Sequence, residues 1–424
     1  MLLPVDLREW LPAGHLALFV IDAVAEFDLT AFYAAYRADG WGRPAHDPAM
    51  MVALVLYAYA RGDRSSRVIE RRCVEDIAYR VIAANRAPDH STIARFIERH
   101  EPALGDLFGQ ILCLCRRAGL VRAGVLALDS TKIAADASGL QNRSYEEIAR
   151  EIIAEGIAID RAEDELYGDA RGDELPPELA DPRTRRERLR VAKRELEAEW
   201  AAEREAREEM LAERAEHKQR TGRNPMGRPP SKPVPESPQG RLNLTDGDSR
   251  PQRTPRGFIQ GYNAQAVASE DQIIVAADVI SRSPDGGQLA PMMAAASEAL
   301  AAAGADGPEV VVADAGYWST SDIRELTGRG LTVLVPPDAH TAKASSRRVG
   351  GLYDQMRARL ATEDGRRLYR RRQTMIEPVF GHTKHNRHFE RFRRRGLAAC
   401  RAEWRLITGT HNLLKLWTAT PATT

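Results

Sequence analysis

Two aspartates of this sequence each follow an apolar run that is typical of a buried strand. Asp129 follows the letters VLAL at 125–128, and Asp314 follows VVVA at 310–313. A buried carboxylate costs free energy unless it is paired with a cation or bound to a metal. If both strands end at the same edge of one sheet, the two carboxylates share a crevice, and their oxygens are the ligands that hard divalent cations prefer. The repeated pattern therefore predicts a metal site.

A cap is the alternative explanation for each aspartate. Taken singly, either carboxylate is more simply explained as the cap of the segment that follows it. Asp136 also competes with Asp129, because it lies a few residues further on, after the run STKIAA. The occurrence of the pattern on two strands favours Asp129 and Asp314 as the ligands.

Glu377 is the third candidate ligand. It is the single acid between Tyr369 and Lys384, in a basic segment that we predict to be helical. An ion pair within a helix needs a cation three or four positions away. The residues at those positions are uncharged: Gln373, Thr374, Phe380 and Gly381. Metal ligation is therefore the better explanation of Glu377, and Pro378 predicts that a helix begins at Glu377.

Hydrophobic patterns predict the elements that must position these acids. In chain order they are strands at 125–128, 258–269 and 272–281, a helix at 288–303, a strand at 309–314, a helix from 319 and a strand at 331–337. The first three strands predict an antiparallel meander. Three strands followed by alternating helix and strand predict an α/β fold with a mixed sheet covered by helices, in the ribonuclease H-like order.

The sequence pattern of residues 1–122 predicts an all-α domain. Asp47 before a proline is typical of a helix N-cap and opens an apolar helix that runs to Ala60. Ser91 or Thr92 caps a later helix whose outer face carries Arg95 and Arg99. This arrangement is either a helix-turn-helix that contacts DNA or a compact helical domain.

An insertion separates the first strand from the rest of the sheet. Helical spacing at Tyr145–Leu166 and Thr184–His217 predicts a helical hairpin, and the Pro/Gly-rich stretch 222–240 predicts a flexible linker. The letters GRPP at 227–230 resemble a minor-groove arm only weakly. The predicted domains are 1–122 (helical), 123–140 with 256–424 (catalytic, with basic C-terminal helices) and 141–255 (insertion and linker).

Composition limits the class of protein. The 424 residues include four cysteines without a CxxC pair, and no apolar run is long enough to span a membrane. With no visible secretory signal, we expect a cytoplasmic protein. The net charge of +1 conceals a basic segment at 341–424, with about 19 Lys or Arg against about 6 Asp or Glu. Such a local excess neutralises phosphates.

The order of several motifs resembles the DDE transposases of bacterial insertion sequences, which have a ribonuclease H-like catalytic domain. The region through PDHSTIARF resembles their helical N-terminal domain. LDSTKI and ADAGYWS resemble the segments with the first and second aspartates, and NLTDGDSR and GFIQGYNAQ resemble the lead into the second strand. EPVFGHTKHNRHF with its arginine run, and EWRLITGTHNLLKL, resemble the segment around the third acid.

This resemblance implies that Asp129, Asp314 and Glu377 are an acidic triad for two Mg²⁺ ions, which Mn²⁺ can replace. Asp129 would bridge the two ions, which activate a water or a DNA 3′-hydroxyl for in-line displacement at phosphorus. Lys384 matches the family's downstream lysine on the same helix face as Glu377, and Tyr369 and Arg372 match a family tyrosine and arginine. The expected partner is double-stranded DNA, namely terminal repeats and target, in the nucleoid, bound by at least a homodimer.

Charge extends the expected DNA surface beyond the triad. Several residues are predicted to contact DNA: Tyr369 and Arg372 before Glu377, and Lys384, Arg387, Arg391, Arg393, Arg394 and Arg395 after it. His382, His385 and His388 could instead bind zinc, although the cations among them disfavour it. Trp318 is either a core residue or a platform for a displaced base.

Three functions remain open from the sequence. The leading one is a transposase that binds terminal inverted repeats, cleaves the strands and transfers them to target DNA. The others are a catalytically silent, transposase-derived DNA-binding regulator and a nuclease without strand transfer.

Overall fold

The computed structural model describes residues 6–36, 45–154, 185–222, 240–338 and 348–420. The chain divides into two compact units, one of Met1–Ala135 with Gln252–Thr424 and one of Asp136–Pro251. None of the described helices is both long and apolar enough to span a membrane. The GRPP letters and most of the predicted linker lie outside the described residues.

A six-stranded mixed sheet forms the centre of the first unit. Its order is β4-β5-β1-β7-β8, and β6 also pairs with β5. β1 and β5 are antiparallel, as are β5 and β6, whereas β7 is parallel to both β1 and β8. The bounds are β1 Val125–Ala134, β4 Arg250–Thr254, β5 Gly257–Ala268, β6 Ile274–Ile280, β7 Val310–Ala313 and β8 Thr332–Leu334. This topology confirms the predicted meander and the ribonuclease H-like fold class.

The first strand is longer than the sequence predicted. We expected it to end at Asp129, but β1 continues to Ala134 because its pairing with β5 persists to the partners Ala134 and Gly261. Residues 130–132, which follow Asp129, are polar and half-buried, so the apolar pattern of a buried strand stops there. Asp129 therefore lies in the middle of a strand.

Helices surround the sheet of the first unit. Asp47 caps α3 as predicted, with Pro48 in its first turn and Gly62 ending it in a left-handed conformation. The predicted cap at Ser91 or Thr92 is wrong: Asp89 caps α6 and accepts the Thr92 N–H at 2.8 Å. The bounds are α1 Leu16–Ala25, α2 Thr30–Tyr33, α3 Pro48–Arg61, α4 Ser66–Glu75, α5 Ile77–Ile82, α6 His90–Arg99 and α7 Glu101–Arg117.

Further helices of this unit follow the insertion in the chain. The predicted helices at 288–303 and from Ser319 are confirmed as α9 and α10. Helix α8 (Arg185–Thr221) belongs to the second unit. The later helices of the first unit are α9 Leu289–Ala302, α10 Thr320–Gly328, α11 Gly351–Ala361, α12 Glu363–Met375, α13 Glu377–Gly381 and α14 Leu397–Ala419.

Helix α14 joins the sheet to the helices of the first 120 residues. It packs against α7, α3 and β6. Its Trp404 indole donates to the Gln265 carbonyl at 2.8 Å, and the Asn412 side chain bonds to both the N–H and the carbonyl of Ile274. On the other side, a methyl group on Gly409 would lie 3.3 Å from Ile111 of α7. The described helices before β1 thus share one compact unit with the sheet, and the finer boundary at residue 122 stays a prediction.

The second unit is built on a helical pair. A helical segment at 145–154 and α8 (Arg185–Thr221) contribute Ile148, Leu189 and Leu196 to one apolar cluster. Two short strands, β2 (Asn142–Ser144) and β3 (Arg241–Asn243), pair antiparallel, and Leu242 completes the cluster. Both described helical segments fall in the ranges where helices were predicted, and residues 155–184 lie outside the described residues.

Candidate active site

The sheet register brings Asp129 and Asp314 together. β1 and β7 are parallel neighbours, and Leu128 pairs with Ala313. Asp129 follows Leu128 and Asp314 follows Ala313, so the two aspartates come directly after paired backbone positions on neighbouring strands. Asp314 leaves the strand and caps a short 3-10 turn, where its Oδ1 accepts the Gly316 N–H at 2.9 Å. Asp314 therefore caps the following turn, which is the alternative explanation, and it also follows the strand beside β1, so its metal role stays a prediction.

Asp129 is a half-buried carboxylate with incomplete charge compensation. Its side chain is 17% exposed, and it accepts the Ser130 N–H and an Arg372 guanidinium N–H at 2.6 Å. Burial raises the pKa of Asp129 to about 6, while the Arg372 charge opposes that rise and Asp314 and Asp285 add to it. An added cation at this carboxylate would be favourable, because the present one does not offset the cost of burial.

Arg372 links the first and third acids. Its Nη1 contacts Asp129, and its Nη2 lies 3.5 Å from Oε1 of Glu377. We inferred from the sequence that Glu377 has no cation within reach, and that inference is wrong. The partner lies five positions away, across a helix break, where the spacing of one continuous helix does not apply.

Glu377 begins a new helix, as Pro378 predicted. Helix α12 ends at Met375, and α13 begins at Glu377. The Glu377 side chain is 51% exposed, so it can meet a ligand from solvent. Tyr369, one turn before Arg372 on α12, is half-buried, and burial raises the pKa of its hydroxyl.

Asp285 is an acidic neighbour that the sequence analysis missed. It lies between β6 and α9, and its Oδ1 accepts hydrogen bonds from Asn263 Nδ2 at 2.6 Å and Gln265 Nε2 at 2.8 Å. Lys132 Nζ is 3.7 Å from the same oxygen. Buried Tyr317 donates its hydroxyl to the other end of the Gln265 amide. The motifs GYNAQ and DAGY thus form one hydrogen-bond network.

The donor set fits a divalent cation, although its oxygens are not gathered around one point. Among the described residues, no three His, Cys, Asp or Glu side chains converge closely enough to hold an ion. Asp129, Asp314 and Glu377 nevertheless offer only carboxylate oxygens, the donors that Mg²⁺ prefers. The incompletely compensated charge of Asp129 favours a cation in the same place.

Two residues predicted to contact DNA donate to protein atoms. Lys384 lies in a π-helical turn beyond α13, and its Nζ donates to the Lys132 carbonyl at 2.7 Å. Arg387 is 3% exposed and donates to Thr410 and to the carbonyls of Tyr59 and Ile407. This burial counts against the predicted phosphate contact of Arg387. Lys384 does not continue the α13 helix of Glu377, and its phosphate role stays a prediction.

The arginine run is anchored by a buried acid. Glu403 of α14 accepts the backbone N–H groups of Arg393 and Arg394 at 2.8 and 3.1 Å. The Arg394 side chain pairs with Glu101, whereas the Arg393 and Arg395 side chains are exposed. The anchored backbone holds the run at the surface, and the predicted phosphate contacts stay predictions.

The remaining sequence candidates are the three histidines, Trp318 and Asp136. The His382 ring packs on His411, and His385 and His388 are exposed. Trp318 is half-buried, with its ring centroid 4.8 Å from that of Tyr353. Asp136 belongs to the second unit.

The fold and this acidic site define a ribonuclease H-like protein with carboxylates on two adjacent central strands. A family model described as "Transposase domain (DUF772)" matches residues 5–99, and one described as "Transposase DDE domain" matches residues 339–417. No curated protein and no solved structure matches the chain. Both matches are to transposase domains, and together they support a DDE transposase of an insertion sequence. The family consists of nucleic-acid-cleaving enzymes that generally use divalent metals.

Proposed function

We propose that this transposase binds the terminal inverted repeats of its insertion sequence, cleaves DNA strands there and joins them to target DNA. Asp129, Asp314 and Glu377 would hold two Mg²⁺ ions, with Mn²⁺ able to substitute. The observation that carries the proposal is the pairing of Leu128 with Ala313, because an aspartate directly follows each of these two residues.

Each residue has a distinct role in this proposal. When bound, the metal ions supply positive charge at the scissile phosphate and at the attacking and leaving oxygens. Asp129 offers a carboxylate that Arg372 orients from α12. Asp314 is held by the Gly316 N–H, and the exposed Glu377 approaches from the start of α13. The carboxylates need not attack phosphorus themselves, since the nucleophile is a water or a DNA 3′-hydroxyl.

The basic segment supports the DNA part of the proposal. Arg393 and Arg395 are exposed beside the buried anchor Glu403, and exposed arginines of this kind neutralise phosphates. We expect at least two protomers on DNA, because two element ends are brought together. Light scattering of the complex with end-bearing duplexes measures that number, and one protomer per pair of ends would contradict it.

The test is cleavage of duplex DNA that carries the element's own terminal repeats, with Mg²⁺. We compare the native protein with Asp129→Ala, Asp314→Ala and Glu377→Ala. Each variant should bind the ends but lose at least about 100-fold in cleavage rate, roughly 3 kcal/mol of transition-state stabilisation. Two variants are matched controls: Asp278→Ala removes an acid that pairs with Arg401, and Glu363→Ala removes an acid from the first turn of α12.

Two outcomes would contradict the proposal, and each would favour another function. Tight binding of the ends without cleavage in Mg²⁺ or Mn²⁺ would identify a silent DNA-binding regulator. Cleavage without joining of pre-cut ends to a target duplex would identify a nuclease that lacks strand transfer.

A further inference from the structure

The two oxygens of the Asp285 carboxylate have different surroundings. The donors Asn263, Gln265 and Lys132 all approach Oδ1. Within the part of the chain that the structure describes, no donor reaches Oδ2. The side chain as a whole is 15% exposed.

Oδ2 faces the space beside Asp314. A methyl group built on Gly316 would lie 3.5 Å from Asp285 Oδ2 and 3.0 Å from Asp314 Oδ1. Two carboxylate oxygens around one small space repel each other unless a cation lies between or beside them. Glycine at position 316 leaves that space open.

A second and independent observation concerns Asn263. This residue is fully buried, and its Oδ1 has no hydrogen-bond partner. A buried carbonyl oxygen without a hydrogen-bond partner destabilises the folded state. The nitrogen of the same amide group donates to Asp285 Oδ1 at 2.6 Å. A cation, or a water bound to it, would satisfy this atom, because amide oxygens are also ligands of hard cations.

We propose that Asp285 is a further carboxylate of the divalent-cation site, oriented by the side-chain amides of Asn263 and Gln265 so that Oδ2 serves the ion beside Asp314. The inference rests on the proposed metal-dependent function and adds a residue to its site.

Asp285→Asn separates this role from a structural one. Asparagine keeps an acceptor oxygen for the Asn263 and Gln265 donors and places an NH₂ group where Oδ2 was. A residue that only anchors its loop would tolerate this change. A residue that binds a cation would not, since an amide nitrogen is not a ligand for Mg²⁺ or Mn²⁺.

The experiment measures Mn²⁺ binding to the full-length protein by titration calorimetry and electron paramagnetic resonance, free and bound to end-bearing DNA. The variants are Asp285→Asn and Asp129→Asn, with Asp278→Asn as the matched control. We expect the Kd for Mn²⁺ to rise at least about tenfold for the first two variants and to stay unchanged for the control. Thermal unfolding without metal verifies that each variant is folded.

The outcomes distinguish the two proposals. If Asp129→Asn weakens Mn²⁺ binding and Asp285→Asn does not, Asp285 is structural and the proposed function stands. If the native protein binds no Mn²⁺ either free or on DNA, the proposed function fails, and this inference fails with it.

A second measurement needs no variant of Asp285. Fe²⁺ bound in place of Mn²⁺, with peroxide and ascorbate, generates hydroxyl radicals that cut the chain near the ion. We expect cuts next to Asp129, Asp314 and Asp285, which mass spectrometry locates. Cuts at the first two positions without one at Asp285 would overturn the inference.

Discussion

Asp129→Asn should make the metal-free protein more stable at neutral pH. Burial raises the pKa of Asp129 from 3.8 to about 6 in the folded protein. The folded carboxyl therefore binds its proton more tightly than the unfolded one, and stability falls as pH rises from about 4 through 6. At about 1.4 kcal/mol per pKa unit, the ionised side chain costs the folded state about 3 kcal/mol at pH 7.5. Asparagine removes that cost.

Urea unfolding of the native protein and Asp129→Asn across pH 4 to 8 measures this difference. The gain in unfolding free energy should be near zero at pH 4, grow through pH 6 and level off above pH 7. Asp278→Asn reports the general effect of the same substitution on the same sheet. Saturating Mg²⁺ should stabilise the native protein more than the variant. A variant less stable than the native protein at pH 7.5, or a difference independent of pH, would refute the reasoning.

Three further predictions concern neighbouring positions. Arg387→Ala should lower the unfolding free energy by about 2–4 kcal/mol, because it leaves buried carbonyls unpaired. The salt dependence of DNA binding should stay unchanged. A flatter dependence of log Kd on log salt concentration would instead support a phosphate contact by Arg387. Lys384→Ala should flatten that slope by about one unit, measured by anisotropy, and an unchanged slope would contradict a phosphate contact. Gly261→Ala should destabilise the protein by about 1–3 kcal/mol, because its methyl group would lie 2.2 Å from the Ile133 carbonyl; Gly286→Ala, with open space around it, is the control in the same unfolding assay, and equal effects would contradict the clash.

The parts of the site carried by apolar strands were predictable from the sequence. The runs before Asp129 and Asp314 are buried hydrophobic stretches, and their burial dictates both the strands and the unusual position of a carboxylate after each. The extension of β1 beyond Asp129 was not predictable in the same way. Its residues are polar and half-buried, and they are extended because β5 pairs with them.

Three features of the site depend on contacts between distant residues. Asp285 follows the letters SRSP and precedes two glycines, a composition typical of a turn, and only the β5 amides reveal its role. Arg372 reaches Glu377 across a helix break. Arg387 stands in a basic, polar segment that suggests the surface, yet carbonyls from α3 and α14 enclose it.

The position of α14 between α7 and the sheet has a consequence for synthesis on the ribosome. Gly105 on α7 approaches Ala402 so closely that a methyl group would lie 3.2 Å from its Cα, and Cys115 contacts the Asn412 carbonyl. The face of α7 that receives α14 emerges roughly 300 residues earlier, about 15–60 s at ordinary elongation rates. During that interval it stays uncovered, in reach of chaperones. The core of the first unit, and with it the acidic site, therefore closes only after translation has passed residue 419.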